Sequence, residues 1–117
     1  MKAAELAYES DVKLSGMRLQ MLKTESGIES LLGIFFSEFT VDENFCTTIY
    51  LKSGDSKYVY KARCMEGRQR CVLPQAATEQ ICSHLQSGQE VALYTKRSIL
   101  RLEPKDFEKY YKKLLKR

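Results

Sequence analysis

The sequence is poor in the residues that build most catalytic and metal-binding sites. Among its 117 residues there is one histidine, His84, and no tryptophan. Its four cysteines include no C-x-x-C pair, whereas a structural zinc site needs closely spaced ligand pairs. The six glycines make neither a G-x-G-x-x-G nor a Walker sequence, so the common phosphate-binding loops are absent. We therefore expect no metal ion, no cofactor and no enzymatic activity.

A cysteine–histidine pair is the first catalytic arrangement to consider. Cys82 and His84 are two positions apart on a predicted helix, so they point about 200° apart and cannot share a proton. His84 could still meet another cysteine across space, which the sequence neither supports nor excludes. Cys64 and Cys71 could form a disulfide if the turn between them is longer than two residues. We favour free, buried thiols for all four cysteines.

Long apolar runs are also missing. No stretch approaches the roughly 20 apolar residues of a membrane-spanning helix, so we expect no membrane partner. A signal peptide would need a continuous apolar stretch near the start, and Glu5, Glu9 and Asp11 interrupt that segment. We therefore expect a cytoplasmic protein.

Charge is distributed unevenly along the chain. Residues 1–58 contain 6 Lys or Arg and 9 Asp or Glu, a net charge of −3. Residues 59–117 contain 13 and 6, a net charge of +7. A basic second half can select an anionic partner, although basic residues also simply solubilise exposed faces. The length and the 44% hydrophobic content predict a single domain, residues 1–117, with one modest core.

The segment 26–39 has the clearest helical pattern. Ser26 and Glu29 have capping-box spacing. The apolar residues that follow form one helical stripe, which consists of Ile28, Leu31, Leu32, Phe35, Phe36 and Phe39. Full burial of such side chains contributes roughly 1.5–3 kcal/mol each, so we expect this helix to contribute most to the core.

The first segment of the chain is ambiguous. Residues 3–22 contain a broken helical stripe, but Met17, Leu19 and Met21 alternate as they would in a strand. We predict a helix here, within an N-terminal segment 1–24 that is loosely attached to the domain.

Two strands flank the turn-rich tetrapeptide Ser53-Gly54-Asp55-Ser56. With Gly54-Asp55 at the tip, the pairs on the core side are Leu51–Tyr58, Ile49–Tyr60, Thr47–Ala62 and Phe45–Cys64. The pairs on the other side are Lys52–Lys57, Tyr50–Val59, Thr48–Lys61 and Cys46–Arg63. This register matches apolar with apolar residues, and a slip of one residue in one strand would turn that strand over.

Turn and cap signals predict the remaining elements. They are a strand over 69–73, a helix from Pro74 to Leu85 with Gly88 at C′, strands over 91–96 and 98–102, and a last helix from Glu103-Pro104. The element order α-β-β-β-α-β-β-α predicts an α+β fold, an antiparallel sheet of about five strands with helices packed on one face. This order is similar to that of type III secretion chaperones, an analogy of order alone.

The sharpest functional hypothesis concerns the basic face of the sheet. Its candidate anion- or nucleic-acid-binding residues are Lys57, Lys61, Arg63, Arg68, Arg70 and Tyr50. Lysine and arginine neutralise phosphates, and an exposed tyrosine can stack on a base. We predict a non-catalytic binding module whose partner is nucleic acid first, or an acidic protein surface. Whether the two arginines join the other cations depends on the turn at Glu66-Gly67.

The alternative hypothesis belongs to a different class. The predicted last helix combines a basic face with an apolar stripe, and such a helix can dock in a partner's groove or pack on its own sheet. The basic face consists of Lys109, Lys112, Lys113, Lys116 and Arg117. In this alternative the protein is a protein–protein adaptor or a secretion-chaperone-like homodimer that uses its apolar helices.

Overall fold

The computed structural model describes residues 4–9, 16–25, 27–35, 37–96, 98–105, 107–108 and 111. This part of the chain forms eight strands and one α-helix of 12 residues. The strands are β1 (Ala4–Glu9), β2 (Met17–Thr24), β3 (Gly27–Ile34), β4 (Cys46–Ser53), β5 (Ser56–Cys64), β6 (Arg70–Val72), β7 (Val91–Tyr94) and β8 (Ile99–Leu102). The helix α1 spans Gln75–Gln86, between β6 and β7.

All eight strands belong to one antiparallel sheet, in the order β1-β2-β3-β6-β5-β4-β7-β8. Strand β2 also approaches β8, which forms the opposite edge, so the sheet curls until it is nearly closed. The inward side chains form the core, and α1 packs against β3 and β7. The predicted α+β class, with about five strands and helices on one face in the order α-β-β-β-α-β-β-α, is therefore wrong.

The predicted N-terminal helix over 3–22 is wrong, because β1 and β2 pair as antiparallel strands. In β2, Met17, Leu19 and Met21 are fully buried, and the residues between them are half-buried. The alternation of these three side chains was the correct signal, since period two places alternate residues on one face of a strand. Strand β2 lies within the sheet, between β1 and β3.

The predicted helix over 26–39 is also wrong, because β3 pairs with β2. Leu19 lies opposite Leu32, and the inward residues Leu32 and Ile34 are buried while Glu29 is exposed. The doublet Leu31-Leu32 made the pattern ambiguous, because both members fit the helical stripe while Leu32 also alternates with Ile34 as in a strand. Pairing with β2 decided between them, as tertiary context often overrides local preference.

The chain leaves the sheet after Ile34 and forms a loop that leads to β4. Phe39 belongs to this loop and is buried, so one phenylalanine of the predicted stripe reaches the core although no helix is present there. Phe35 is exposed, and Phe36 lies outside the described residues.

The β4–β5 hairpin has the predicted register, from Cys46 opposite Arg63 to Ser53 opposite Ser56. Gly54 at the tip has a φ of +57°, a left-handed conformation that glycine adopts at low cost. Within the strands, side chains alternate as predicted, since every second residue of β4 is buried and the outward residues of β5 are exposed. Phe45, which was predicted on the core side, is instead 39% exposed and has a φ of +62°.

The turn between β5 and β6 is longer than Glu66-Gly67 alone. The N–H of Met65 donates to the carbonyl of Arg70 at 2.8 Å, and the N–H of Arg68 donates to the carbonyl of Met65 at 2.9 Å. Residues 66–69 therefore form the turn, and the predicted short strand is present as β6. This arrangement sets Cys64 directly opposite Cys71.

Helix α1 is present where Pro74 and Gly88 predicted it. The N–H of Gly88 donates to the carbonyl of Leu85 at 3.1 Å, and the N–H of Gln89 donates to that of His84 at 2.9 Å. This is the Schellman arrangement, which the φ of +85° at Gly88 permits. The inward face of α1 is buried on the sheet and consists of Ala77, Thr78, Ile81, Cys82 and Leu85. The apolar face of α1 is thus used within the chain.

Strands β7 and β8 form the last hairpin, with Tyr94 opposite Ile99, as two separate strands in the predicted region. After β8, the described residues have helical backbone at Pro104, Lys105, Phe107, Glu108 and Tyr111, and Phe107 is fully buried. Most of the predicted last helix, including its basic face, lies outside the described residues. Within the described part of the chain, no helix is long and apolar enough to cross a membrane.

Candidate nucleic-acid interface

The outward face of β5 carries three of the predicted cations. Lys57, Lys61 and Arg63 alternate with inward residues and are all exposed. Tyr50 lies on the same outward side of the neighbouring strand β4, opposite Val59. These residues meet because a hairpin with a two-residue tip leaves only one register in which both strands bury their apolar sides. Four of the six predicted residues therefore share one continuous surface.

The two remaining predicted residues, Arg68 and Arg70, do not lie on the same surface. Arg70 lies on the outward side of β6, two positions before Val72, which pairs with Arg63. Arg68 instead belongs to the turn before β6 and has a φ of +56°. Its guanidinium forms an ion pair of 2.7 Å with Glu38. Arg70 thus extends the basic surface, whereas the longer turn removes Arg68 from it.

Lys61 is the one cation of this face that contacts a carboxylate among the described residues. Its Nζ lies 3.5 Å from Asp42, with 61% of the lysine side chain exposed. The same carboxylate accepts hydrogen bonds from the N–H groups of Asn44 at 2.9 Å and Cys46 at 3.0 Å. The N–H of Cys46 contributes most to lowering the pKa of Asp42, and Asn44 and Lys61 add to this effect. Because exposed ion pairs are weak, Lys61 can exchange Asp42 for another anion.

An apolar row crosses the same face and was not predicted as a unit. It consists of Val59, Tyr50, Tyr94 and Ile99, each directly opposite the next across β5, β4, β7 and β8. The rings of Tyr50 and Tyr94 stack with centroids 5.6 Å apart and an interplanar angle of 18°. Val59 is 63% exposed and Ile99 is 43% exposed. The row could not be predicted from the sequence because it depends on the pairing of β4 with β7. These strands are separated by about 40 residues, so their pairing leaves no local sequence pattern.

A basic row runs beside the apolar row, one pleat further along the strands. It consists of Lys57, Lys52, Ala92 and Arg101, which again lie opposite one another in sequence across the four strands. All three charged members are exposed. Lys61 lies on the other side of the apolar row, opposite Thr48. Cations therefore flank the apolar row on both sides.

The electrostatic character of this face is uniform. In β4, β5, β7 and β8, all of whose side chains are described, the outward positions hold five cations and no carboxylate. The five are Lys52, Lys57, Lys61, Arg63 and Arg101. Such a surface attracts an anion over a distance of about one Debye length, roughly 8 Å at physiological salt.

A cleft of about 360 Å³ opens beside Tyr50 and Lys61. The 37–42 loop forms one wall, and Lys96 lines the opposite side. Glu38 and Asp42 also line it, so its charge is mixed where it meets the basic face at Tyr50 and Lys61. The cleft therefore does not itself select an anion.

Three of the four thiols, those of Cys64, Cys71 and Cys82, are buried in the core. Burial raises the pKa of Cys71 to about 12 and that of Cys82 to about 11, and it also raises the pKa of Cys64. All four cysteines are free, including the facing pair Cys64 and Cys71. Since the thiolate is the reactive form, the buried thiols are poor nucleophiles at neutral pH.

His84 contacts residues other than cysteine. Its Nδ1 lies 2.7 Å from Oε1 of Gln89, and its Nε2 lies 3.3 Å from the hydroxyl of Tyr58. Tyr58 and Tyr60 lie on the core side, as predicted, and stack with centroids 6.3 Å apart. Within the described residues, no group of three histidine, cysteine or acidic side chains could hold a metal ion.

Comparison with known proteins finds no similar protein. No family model, no curated protein and no solved structure matches the chain. The case for a function therefore depends on the geometry and charge of the face formed by β5, β4, β7 and β8.

Proposed function

We propose that this protein is a non-catalytic binding module that docks nucleic acid on the outward face of β5, β4, β7 and β8. One observation carries the proposal: the outward positions of these four strands hold five cations, no carboxylate and a stacked tyrosine pair. Lysine and arginine side chains bind phosphates and release the counterions that surround them. Tyrosine rings add contacts to sugars and bases.

Charge pairing supports the availability of these cations. Among the described residues, Lys57, Arg63 and Arg70 have no ion-pair partner, and the partner of Lys61 is itself exposed. An unpaired, exposed cation loses less on binding a phosphate than one that must first leave a carboxylate. Of these cations, Lys61 alone would exchange a carboxylate for a phosphate on binding an anionic polymer.

The burial of Cys64, Cys71 and Cys82 supports binding over catalysis. Chemistry on a bound nucleic acid would need a nucleophile, a base or a metal at the face. The outward positions of the four strands offer lysines, arginines, tyrosines, one threonine and Cys46, none of them beside His84. We therefore propose that the face positions a nucleic acid without changing it.

Charge reversal tests this proposal. We expect the double variant Lys61→Glu and Arg63→Glu to lose most of its affinity for a fluorescein-labelled 12-nucleotide strand in anisotropy titrations. Removing two phosphate contacts should also reduce the slope of log affinity against log salt by about 1.4, because each contact with a single strand contributes about 0.7. Thermal unfolding should be unchanged, because both side chains are exposed.

The matched control carries the same change in net charge elsewhere. Arg68→Glu with Lys105→Glu alters two exposed cations that lie off the face, in the β5–β6 turn and after β8. We expect this variant to keep near wild-type affinity and salt dependence. Equal affinity of the Lys61/Arg63 variant and the wild type would rule out the proposed site. Equal losses in both variants would mean that only total charge matters.

A further inference from the structure

We propose that the apolar row makes the face selective for single-stranded nucleic acid, with unpaired bases packing on Val59, Tyr50, Tyr94 and Ile99. This inference rests on the proposed function and deepens it. A duplex presents phosphates outside and hides the faces of its bases, whereas a single strand exposes both. A nucleic acid that contacts all four residues of the apolar row must therefore present unpaired bases.

The dimensions of the apolar row suit a short piece of single-stranded nucleic acid. Neighbouring strands of a sheet lie about 4.8 Å apart, so four strands place the row across roughly 14 Å of surface. The basic row runs parallel to it, at the distance of two residues along each strand, about 6.7 Å. Bases can thus follow the apolar row while their phosphates contact Lys57, Lys52 and Arg101.

The tyrosine pair is already ordered for this contact. The ring planes of Tyr50 and Tyr94 lie within 18° of parallel with centroids 5.6 Å apart, and Val59 and Ile99 lie beyond them at the two ends of the row. A base that packs on one of these rings meets a tyrosine pair that is already in contact, so binding requires little reordering of side chains. Stacking tolerates every base, so we expect little sequence preference.

Charge decides which partner fits the row. Exposed apolar groups on a sheet face are typical of binding surfaces in general. A protein partner would usually bring an apolar centre with mixed charges around it. Here all charged side chains at the outward positions of the four described strands are positive, on both sides of the row. A chain that alternates flat apolar groups with regularly spaced negative charges matches this arrangement, and single-stranded nucleic acid is such a chain.

The experiment compares three polyanions on one set of variants. The probes are a labelled 12-nucleotide single strand, the duplex of the same sequence, and heparin, which has charge but no bases. The test variant is Tyr94→Leu, which keeps an apolar side chain but removes the ring. Tyr60→Leu is the matched control, since it makes the same change on the core side of the sheet.

We expect Tyr94→Leu to lower single-strand affinity roughly 5- to 100-fold, the range that one stacked base contributes. Its affinity for the duplex and for heparin should change less than twofold. Tyr94→Phe should retain single-strand binding because it keeps the ring. Tyr60→Leu should leave all three affinities unchanged, and thermal unfolding of each variant checks that it is folded.

Other outcomes separate this inference from the proposed function. If the wild type binds the single strand, the duplex and heparin equally, and Tyr94→Leu changes nothing, the row has no role while the basic face still docks polyanions. If the wild type binds none of the three, both proposals are wrong. Binding of polyglutamate as tight as that of the single strand would indicate an acidic protein partner instead.

Discussion

The β2–β3 and β4–β5 hairpins have the same construction but opposite relations to solvent. Each joins two long antiparallel strands through a two-residue tip. In β2 the residues between the buried ones are half-buried, whereas every outward residue of β5 is exposed. In β4 the outward residues Cys46, Thr48 and Tyr50 are half-buried like those of β2, so the contrast lies in β5, whose outward side is open to solvent along its length. Equal backbone geometry thus gives β5 an exposed outward side that β2 lacks, and it is this side that we propose for binding.

The largest expected effect separates the hairpins by stability. Leu32 in β3 is fully buried, and Leu32→Ala should lower the free energy of unfolding by about 2–5 kcal/mol. Val59 in β5 is 63% exposed, so Val59→Ala should change it by less than about 0.5 kcal/mol. Urea unfolding followed by circular dichroism measures both. Similar losses for the two variants would contradict the division between a core hairpin and a surface hairpin.

A smaller effect is expected from the buried serine of each hairpin. The hydroxyl of Thr78 in α1 donates to that of Ser30 at 2.9 Å in a buried contact. The hydroxyl of Ser53 donates to the carbonyl of Glu90 at 2.9 Å where the site is partly open. Ser30→Ala leaves the Thr78 donor without that partner and should cost about 1–3 kcal/mol, against about 0.5–1.5 kcal/mol for Ser53→Ala.

A second substitution checks the cause of the serine effect. Thr78→Val in the Ser30→Ala background removes the hydroxyl donor that was left without a partner, and it should recover part of the lost stability. Denaturation of the single and double variants gives the coupling free energy between the two positions. Simple addition of the two losses would show that the hydrogen bond between Ser30 and Thr78 contributes little.

The smallest effect concerns thiol reactivity and leaves stability unchanged. Cys46 begins β4 on the outward side and is half-buried, whereas Cys71 is buried opposite Cys64 with a pKa of about 12. Because the raised pKa keeps Cys71 protonated at pH 8 and burial limits access, a thiol reagent should modify Cys46 first. Mass spectrometry of the native protein would detect the order. Modification of Cys71 as fast as Cys46 would mean that the β5–β6 edge opens readily.

Local patterns predicted the β4–β5 hairpin and α1 well. The tip Gly54-Asp55 and strict alternation were enough to set the register of β4 on β5. Pro74 and Gly88 marked the two ends of α1. In β3, by contrast, the apolar stripe favoured a helix, because adjacent apolar residues satisfy the helical and the strand period at once. The partner strand β2 lay in a segment that was itself ambiguous, so no neighbouring prediction corrected the error.

The candidate site was predicted in the same uneven way. Lys57, Lys61 and Arg63 were assigned to the outward face because they lie within one hairpin and depend only on its register. Arg68 was misplaced because the length of the β5–β6 turn depends on hydrogen bonds that Met65 makes across it. Tyr94 and Arg101 were missed because they join the face only through the pairing of β4 with β7 and β7 with β8.

The residues alone determined where cations concentrate, which hairpin separates them from the apolar side chains, and where α1 begins and ends. These properties follow from interactions between residues close together in the chain, such as turn conformation, helix capping and alternation. The number of strands, the near closure of the sheet and the alignment of two rows across four strands were decided only in three dimensions. Each of these depends on pairing between distant segments, and the hydrogen bonds of the backbone that join them are the same for every sequence.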